Sequence, residues 1–394
     1  MNQQSTMLWN RWFILCVLNN LFLFTYYFAM LTVLPIYILQ DLGGTVKEAG
    51  LALTLFLVSS IAIRPFSGLI VERMGKQRCL RIAGLLFVLF AIAYIWIDSL
   101  FSLLLVRFLH GFWFSILTTV NVPVVNEFIP ESRKGEGMGY FVMSTNLGVI
   151  FGPLFALTAI QFISFSSLFT LLTIVSIVGF IFCLCLKIPE EAMTEKAPLL
   201  ALTWHDIIET KVLPIGLVAL FTALAYSSIT SFITAFADSL NLLRYASIFF
   251  AVFAISMIVI RPWVGRWYDS KGPSAVIYPS FALFAIGLVI VSFMDNQWVL
   301  WGSAIFIGMG YGTLFPCMQT LAIQSVERRR MGHAISTFFT LFDLGLAIGS
   351  LLMGLLIAFF GFQITYLICA GIVVFALWMY SKWAAPKKQS MREA

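Results

Sequence analysis

Long apolar runs broken by short polar clusters organise this chain from one end to the other. Residues 13–39, interrupted only by Asn19 and Asn20, and residues 168–186 are examples. A helix needs about 20 apolar residues to cross a bilayer. Lipid offers no hydrogen-bond partners, so only helices or closed barrels span it. Runs of this length without period-2 alternation exclude the barrel. The pattern predicts an all-α membrane protein with twelve transmembrane helices. They lie near 12–39, 48–70, 79–97, 100–125, 137–160, 164–187, 212–237, 245–265, 274–294, 297–323, 333–359 and 362–382. The first run is too long for a signal peptide and is read as a spanning helix. The longest polar connection falls in the middle. It suggests an N-terminal six-helix bundle over 1–188, a cytoplasmic linker over 189–211, and a C-terminal bundle with a short cytoplasmic tail over 212–394.

An internal repeat supports the two bundles. A shift of 197 residues, without a gap, superposes Ile63-Arg64-Pro65, Gly68, Glu72 and Gly75 on Ile260-Arg261-Pro262, Gly265, Asp269 and Gly272. The same shift superposes Gly111 on Gly308, Gly135 on Gly332 and Phe141 on Phe338. It also brings Asn146-Leu147-Gly148 and Gly152 onto Asp343-Leu344-Gly345 and Gly349. Parallel repeats of this kind place a substrate site near the midplane, between the halves.

Composition agrees with the pattern: 61% of residues are hydrophobic and 11% charged, against about 45–50% and roughly 25% in soluble domains. With the N-terminus inside, 21 of the 24 Lys and Arg residues fall on the cytoplasmic side. Lys47 and Arg244 lie outside, and Arg107 lies within a helix. This asymmetry predicts cytoplasmic termini and an even number of spans. It also accounts for the net charge of +6 without nucleic acid. The six cysteines, Cys16, Cys79, Cys183, Cys185, Cys317 and Cys369, are irregularly spaced in apolar runs and read as small hydrophobes. Neither a metal site nor a cofactor is expected.

Several of these residues resemble the major facilitator superfamily, and within it the twelve-helix drug:proton antiporters. Gly68-Leu-Ile-Val-Glu72-Arg73-Met-Gly75-Lys76-Gln-Arg78 is similar to the signature G-x-x-x-D-R-x-G-R-K, with Glu72 in the aspartate position. Arg107-Phe-Leu-His110-Gly111 is similar to R-x-x-Q-G, and Glu127-Phe-Ile-Pro130 to D-x-x-P. Gly139, Gly148, Gly152 and Pro153 resemble the antiporter motif of the fifth helix, although Ala156 and Leu157 replace its last two glycines. The resemblance implies secondary active export of a small solute in exchange for protons. It also implies a bacterial inner or plasma membrane location and a monomeric working unit.

Charges inside a bilayer cost roughly 2.5–3.5 kcal/mol or more, so each needs a reason. Asp343 is the only carboxylate well inside an apolar run. It is read either as a proton-coupling or cation-binding group or as a polar interhelical contact like its repeat mate Asn146. Arg107 keeps its charge. It must meet backbone carbonyls, a carboxylate or an anionic substrate, and the resemblance assigns it to proton coupling. His110, one turn on, either titrates near neutral pH or is a hydrogen-bonded structural residue. Gly68, Glu72, Arg73, Gly75, Arg78, Glu127 and Asp269 form a candidate conformational latch at the inner face. Gly148, Gly152, Pro153, Gly345 and Gly349 permit close helix approach, and helices 5 and 11 are expected to line a moving interface. Asn19, Asn20, Tyr27, Trp113, Asn121, Tyr226, Tyr311 and Gln319 are candidate cavity residues on helices 1, 4, 7 and 10. Such a cavity suits an amphipathic or zwitterionic solute. A dedicated exporter of an endogenous metabolite (a sugar or metallophore) and a proton-coupled uptake symporter remain open on the same fold. No H-E-x-x-H, G-x-S-x-G or Walker motif supports a membrane enzyme.

Overall fold

The computed structural model describes residues 7–188 and 207–385. Most of the expected linker, 189–206, and the tail beyond 385 lie outside the described residues. The described chain is helical. Its first half contains α1 (Arg11–Gln40), α2 (Val46–Met74), α3 (Lys76–Ala93), α4 (Leu100–Asn126), α5 (Lys134–Ala159) and α6 (Phe165–Cys185). The second contains α7 (Leu213–Ser239), α8 (Leu243–Lys271), α9 (Pro273–Ser292) and α10 (Gln297–Gln324), followed by one helical stretch, Met331–Met379. A continuous helix of 49 residues would run about 74 Å, more than twice the hydrocarbon core. It is broken at Gly361, whose φ of 77° and ψ of 173° are not helical. We therefore divide it into α11 (331–360) and α12 (362–379), giving twelve spans among the described residues.

Local chemistry sets the ends. The Asn10 side chain accepts from the Trp12 and Phe13 amides at the start of α1, and Asn296 does the same for Trp298 and Val299 in α10. Thr45 and Glu48 form a reciprocal capping box on α2. The cytoplasmic loops expected after helices 2 and 8 are single glycines. Gly75 (φ 80°) joins α2 directly to α3, and its repeat mate Gly272 (φ 85°) joins α8 to α9. Positive φ costs a side-chain-bearing residue energy that glycine avoids. That explains why the repeat carries glycine at both corners. The helices extend beyond the apolar run because continued helical bonding satisfies their backbone groups; the Gly75 amide donates to the Val71 carbonyl at 3.0 Å.

Contacts divide the described chain into two units. The first holds 7–130, 140–188, 207–209 and 327–336; the second holds 131–139, 210–326 and 337–385. The division departs from the sequence boundary at two repeat-related places. The first turns of α5 belong with the second unit, and those of α11 with the first. Inside the first unit α4 packs on α2 and α3; inside the second α10 packs on α8 and α9. A Cβ on Gly111 would stand 2.2 Å from the Phe56 carbonyl oxygen, and one on Gly308 would stand 2.6 Å from that of Phe253. The pairs are repeat mates, so both units use one packing solution.

Large aromatics mark helix ends in the same register. Trp96, Phe101 and Phe162 and their repeat mates Phe293, Trp298 and Phe359 are 68–80% exposed. Aromatic side chains of this exposure suit the lipid–water boundary.

Gly148 and Gly152 face α1, and Gly345 and Gly349 face α7. A Cβ would come within 2.7 Å of the Thr25 oxygen at Gly152, and within 2.3 Å of the Leu220 oxygen at Gly345. These glycines therefore pack helices inside each unit. The expectation that they mark a moving interface has no such support in their contacts. Gly349→Leu is expected to lower stability, because overpacking costs about 1–3 kcal/mol and the backbone of α7 cannot yield as a side chain could. Monodisperse yield and the thermal unfolding midpoint in detergent check this; an unchanged midpoint would refute the packing role.

Candidate functional site

The repeated motif builds a ladder on one helix pair in each unit. In the first unit the ladder runs between α2 and the start of α11. The Glu72 carboxylate meets His333 Nε2 at 2.7 Å. A Cβ on Gly68 would fall 2.6 Å from the His333 Cα, so bare backbones touch there. One turn deeper, the Ser336 hydroxyl donates to the Arg64 carbonyl. In the second unit the ladder runs between α8 and the start of α5. Asp269 accepts from the Gly135 amide at 2.7 Å and from the Glu136 amide at 3.0 Å. A Cβ on Gly265 would fall 2.6 Å from the Glu136 Cα, and one on Gly139 would fall 3.6 Å from the Arg261 Cδ. Every rung pairs residues of one sequence repeat with residues of the other.

The two carboxylates use different chemistry. Asp269 caps a helix N-terminus, where free amides and the helix dipole favour an anion. Glu72 instead engages a fully buried imidazole. Further charges pair near these helix ends: Lys76 pairs with Glu127, Arg328 lies 3.9 Å from Glu127, and Arg330 pairs with Glu209. The Arg133 Nε donates to Glu136 at 2.7 Å. Of the expected latch residues, Glu72, Gly68 and Asp269 therefore stand in ladders, and Gly75 makes the corner beside one. Glu127 stands on a separate ion-pair cluster. Arg73 is half-buried next to Glu72 in sequence, and Arg78 is exposed with no ion pair among the described residues.

Arg107, in α4, is 1% exposed. Its Nε donates to the Ala52 carbonyl at 3.3 Å, and its guanidinium lies 4.2 Å from the Phe56 ring centroid. It makes no ion pair among the described residues, and Nη2 has no acceptor there. A backbone carbonyl, a π face and the Tyr94 hydroxyl thus surround this charge. His110 is enclosed by rings: Phe87 at 4.2 Å, Tyr26 and Tyr94 at 5.7 Å, and Phe56 at 5.9 Å. Its Nδ1 is 3.5 Å from the Tyr94 hydroxyl, the outer limit of a hydrogen bond.

In the second unit Asp343 is half-buried on α11. Its charge acts at Tyr311 through space. Tyr311 stacks on Tyr226 with centroids 3.5 Å apart and planes 10° from parallel. Gln319 is buried with Oε1 lacking a donor among the described residues. In the first unit the expected cavity residues mostly bond to one another or to neighbours. Asn19 donates to Asn121 at 3.2 Å, and Asn20 to Ser144 at 2.8 Å and Thr145 at 2.9 Å. Tyr27 stacks on Phe114 at 4.6 Å, while Trp113 is half-buried beside Phe112. No cluster of His, Cys, Asp and Glu suited to a metal occurs among the described residues.

Sequence reasoning passed over four of these side chains. Lys76 falls in a predicted loop and His333 at the predicted start of the eleventh helix. Arg64 and Arg261 were counted with the inner-face charges, yet both are buried inside helices, 5% and 4% exposed. The 197-residue shift already flagged the last two, because it aligns arginine with arginine within a helical run.

Comparison with known proteins converges on one family. The model of the Major Facilitator Superfamily matches residues 15–350 and 272–393. The Staphylopine export protein of Staphylococcus aureus is 23% identical over 366 residues, covering 89% of this chain and 91% of that protein. Multidrug resistance protein MdtG of Escherichia coli is 23% identical over 363 residues, covering 87% and 86%. Among solved structures, the human organic anion transporter MFSD10 aligns with a TM-score of 0.82 at 14% identity, covering 96% of this chain and all of that one. FucP in the outward conformation aligns at 0.74 and 14%, covering 94% and 99%.

Proposed function

Since the chain belongs to the major facilitator superfamily of membrane transporters, we propose that it exports a small amphipathic or zwitterionic solute in exchange for protons. The observation that carries the proposal is the Asp343–Tyr311–Tyr226 group. It sets a half-buried carboxylate in a membrane helix within electrostatic range of a stacked aromatic pair. Burial disfavours the charged form of a carboxylate, and access to water restores it. Asp343 takes a proton when water from the outer side reaches it and releases that proton inward. Tyr226 and Tyr311 offer a flat apolar surface with polar edges to the solute.

The ladders are the latch in this reading. They join residues of the two repeats at the start of α5 and of α11, so alternating access requires them to part and re-form. The efflux names of the similar S. aureus and E. coli proteins favour the export direction. Termini on the cytoplasmic side of the inner membrane follow from the charge asymmetry. The uptake reading keeps the same parts and reverses the direction.

Everted vesicles from cells overproducing the chain decide between them. Energised to an acidic lumen, they are expected to accumulate a zwitterionic quinolone or ethidium above vector controls, and collapse of the proton gradient should release it. Accumulation only by right-side-out vesicles under an inward proton gradient would replace export with uptake.

A further inference from the structure

Arg261 is the buried charge that the proposed cycle leaves unused. It lies in α8 within Ile260-Arg261-Pro262, one turn before Gly265 and two before Asp269. Its side chain is 4% exposed, and neither Nε nor Nη2 has an acceptor among the described residues. No carboxylate there forms an ion pair with it. It faces the backbone at Gly139 of α5, where a Cβ would stand 3.6 Å from Cδ and 4.0 Å from Nη1, and the Cys317 thiol of α10 lies within electrostatic range. Burying a guanidinium without an acceptor is unfavourable, and arginine cannot escape that cost by losing its proton. Leucine or methionine would fill the same volume without it.

A buried arginine recurs at the matching place in the other repeat. Arg64, the repeat mate, occupies the same rung of the other ladder and is 5% exposed. Its guanidinium reaches the Ser60 hydroxyl at 3.4 Å and that of Thr118 at 3.5 Å. Each arginine lies directly inward of the rung where bare backbones touch, at Gly265 and Glu136 or at Gly68 and His333.

We propose that Arg261 is an anion-recognising residue that binds a carboxylate of the transported solute. The proposal rests on the ladders acting as a latch and narrows the substrate to an organic anion or a zwitterion bearing a carboxylate. When Asp269 releases the Gly135 and Glu136 amides, the start of α5 moves off α8. Gly139 then uncovers a guanidinium whose unsatisfied Nε and Nη2 match a carboxylate bidentately. Glycine at 139 suits this role, because no side chain stands in the approach to Nη1. The bound anion supplies the missing acceptors, so solute loading and ladder opening favour each other.

The test uses the purified full chain in detergent, with the thermal unfolding midpoint as readout. Citrate and succinate are the anionic probes; tetraphenylphosphonium is the cationic control. Saturable stabilisation by citrate is expected in the native chain. Arg261→Gln should weaken its apparent affinity by about tenfold or more, in line with loss of a bidentate charged pair. Arg261→Lys, which keeps the charge but not the fork, should fall between. Gly139→Asp guards against misfolding of the arginine variants. It places a carboxylate beside Arg261, and is expected to raise the midpoint and abolish citrate binding. Citrate binding unchanged in Arg261→Gln or in Gly139→Asp would overturn the proposal. So would stabilisation by tetraphenylphosphonium with none by either carboxylate. Citrate binding lost in Arg261→Gln, together with no proton-driven accumulation in everted vesicles, would keep the anion site and remove the export reading.

Discussion

Asp343→Asn is expected to abolish proton-driven accumulation in everted vesicles while leaving the amount of chain in the membrane unchanged. Removing a group that carries protons costs typically on the order of 10²–10⁴-fold in rate, and no other carboxylate lies deep in the same run to replace it. The fold itself supplies the control. Asparagine is the residue that the first repeat carries at the matching place, Asn146, where it is half-buried in α5. The amide is nearly isosteric with the carboxylate, so the helix tolerates it. The variant should still exchange solute down a solute gradient, and that exchange should no longer respond to pH. Wild-type accumulation by Asp343→Asn would remove Asp343 from the coupling step. Loss of exchange as well as accumulation would assign Asp343 to solute binding instead.

The helices and their repeat were legible because membrane insertion writes a one-dimensional code: a long apolar run must be a helix. The positions of Gly75 and Gly272 show where that code stops. Both were placed in loops, because the charges around them are polar, yet helices run up to each glycine on both sides. Polarity records where lipid ends, whereas hydrogen bonding decides where a helix ends. Arg107 illustrates a second limit. The sequence required a partner for a permanent charge and left three kinds open; the Ala52 carbonyl and the Phe56 ring come from α2, 55 and 51 positions earlier in the chain. His333 was the clearest omission. It follows Gly332, which the repeat aligns with Gly135, and so it stands where Glu136 meets Asp269 in the other ladder. The signal was a partner position in the repeat, and only a pairing of both motif copies with both helix starts would have found it.

That asymmetry between the two ladders sets the remaining large effect. Asp269→Ala removes both bonds to the start of α5, at 2.7 and 3.0 Å. Hydrogen bonds to charged groups are each worth about 1.5–3 kcal/mol, and about 1.4 kcal/mol is tenfold in an equilibrium. The loss is therefore expected to shift the balance between the closed and parted ladder by at least about tenfold. Glu72→Gln should shift it less, because the amide can still bond to the His333 Nε2. Gly139→Cys reports the change. The site accommodates a Cβ, 3.6 Å from the Arg261 Cδ, and a thiol there is covered while the ladder is closed. In a background freed of the six native cysteines, the rate of maleimide labelling at residue 139 should rise at least about tenfold in Asp269→Ala. It should change little in Glu72→Gln. Labelling that stays slow in Asp269→Ala would mean that the backbone contact at Gly265 and Glu136 holds the rung by itself, and the carboxylate would lose its place in the latch. Equal acceleration by both substitutions would show instead that one ladder cannot part without the other.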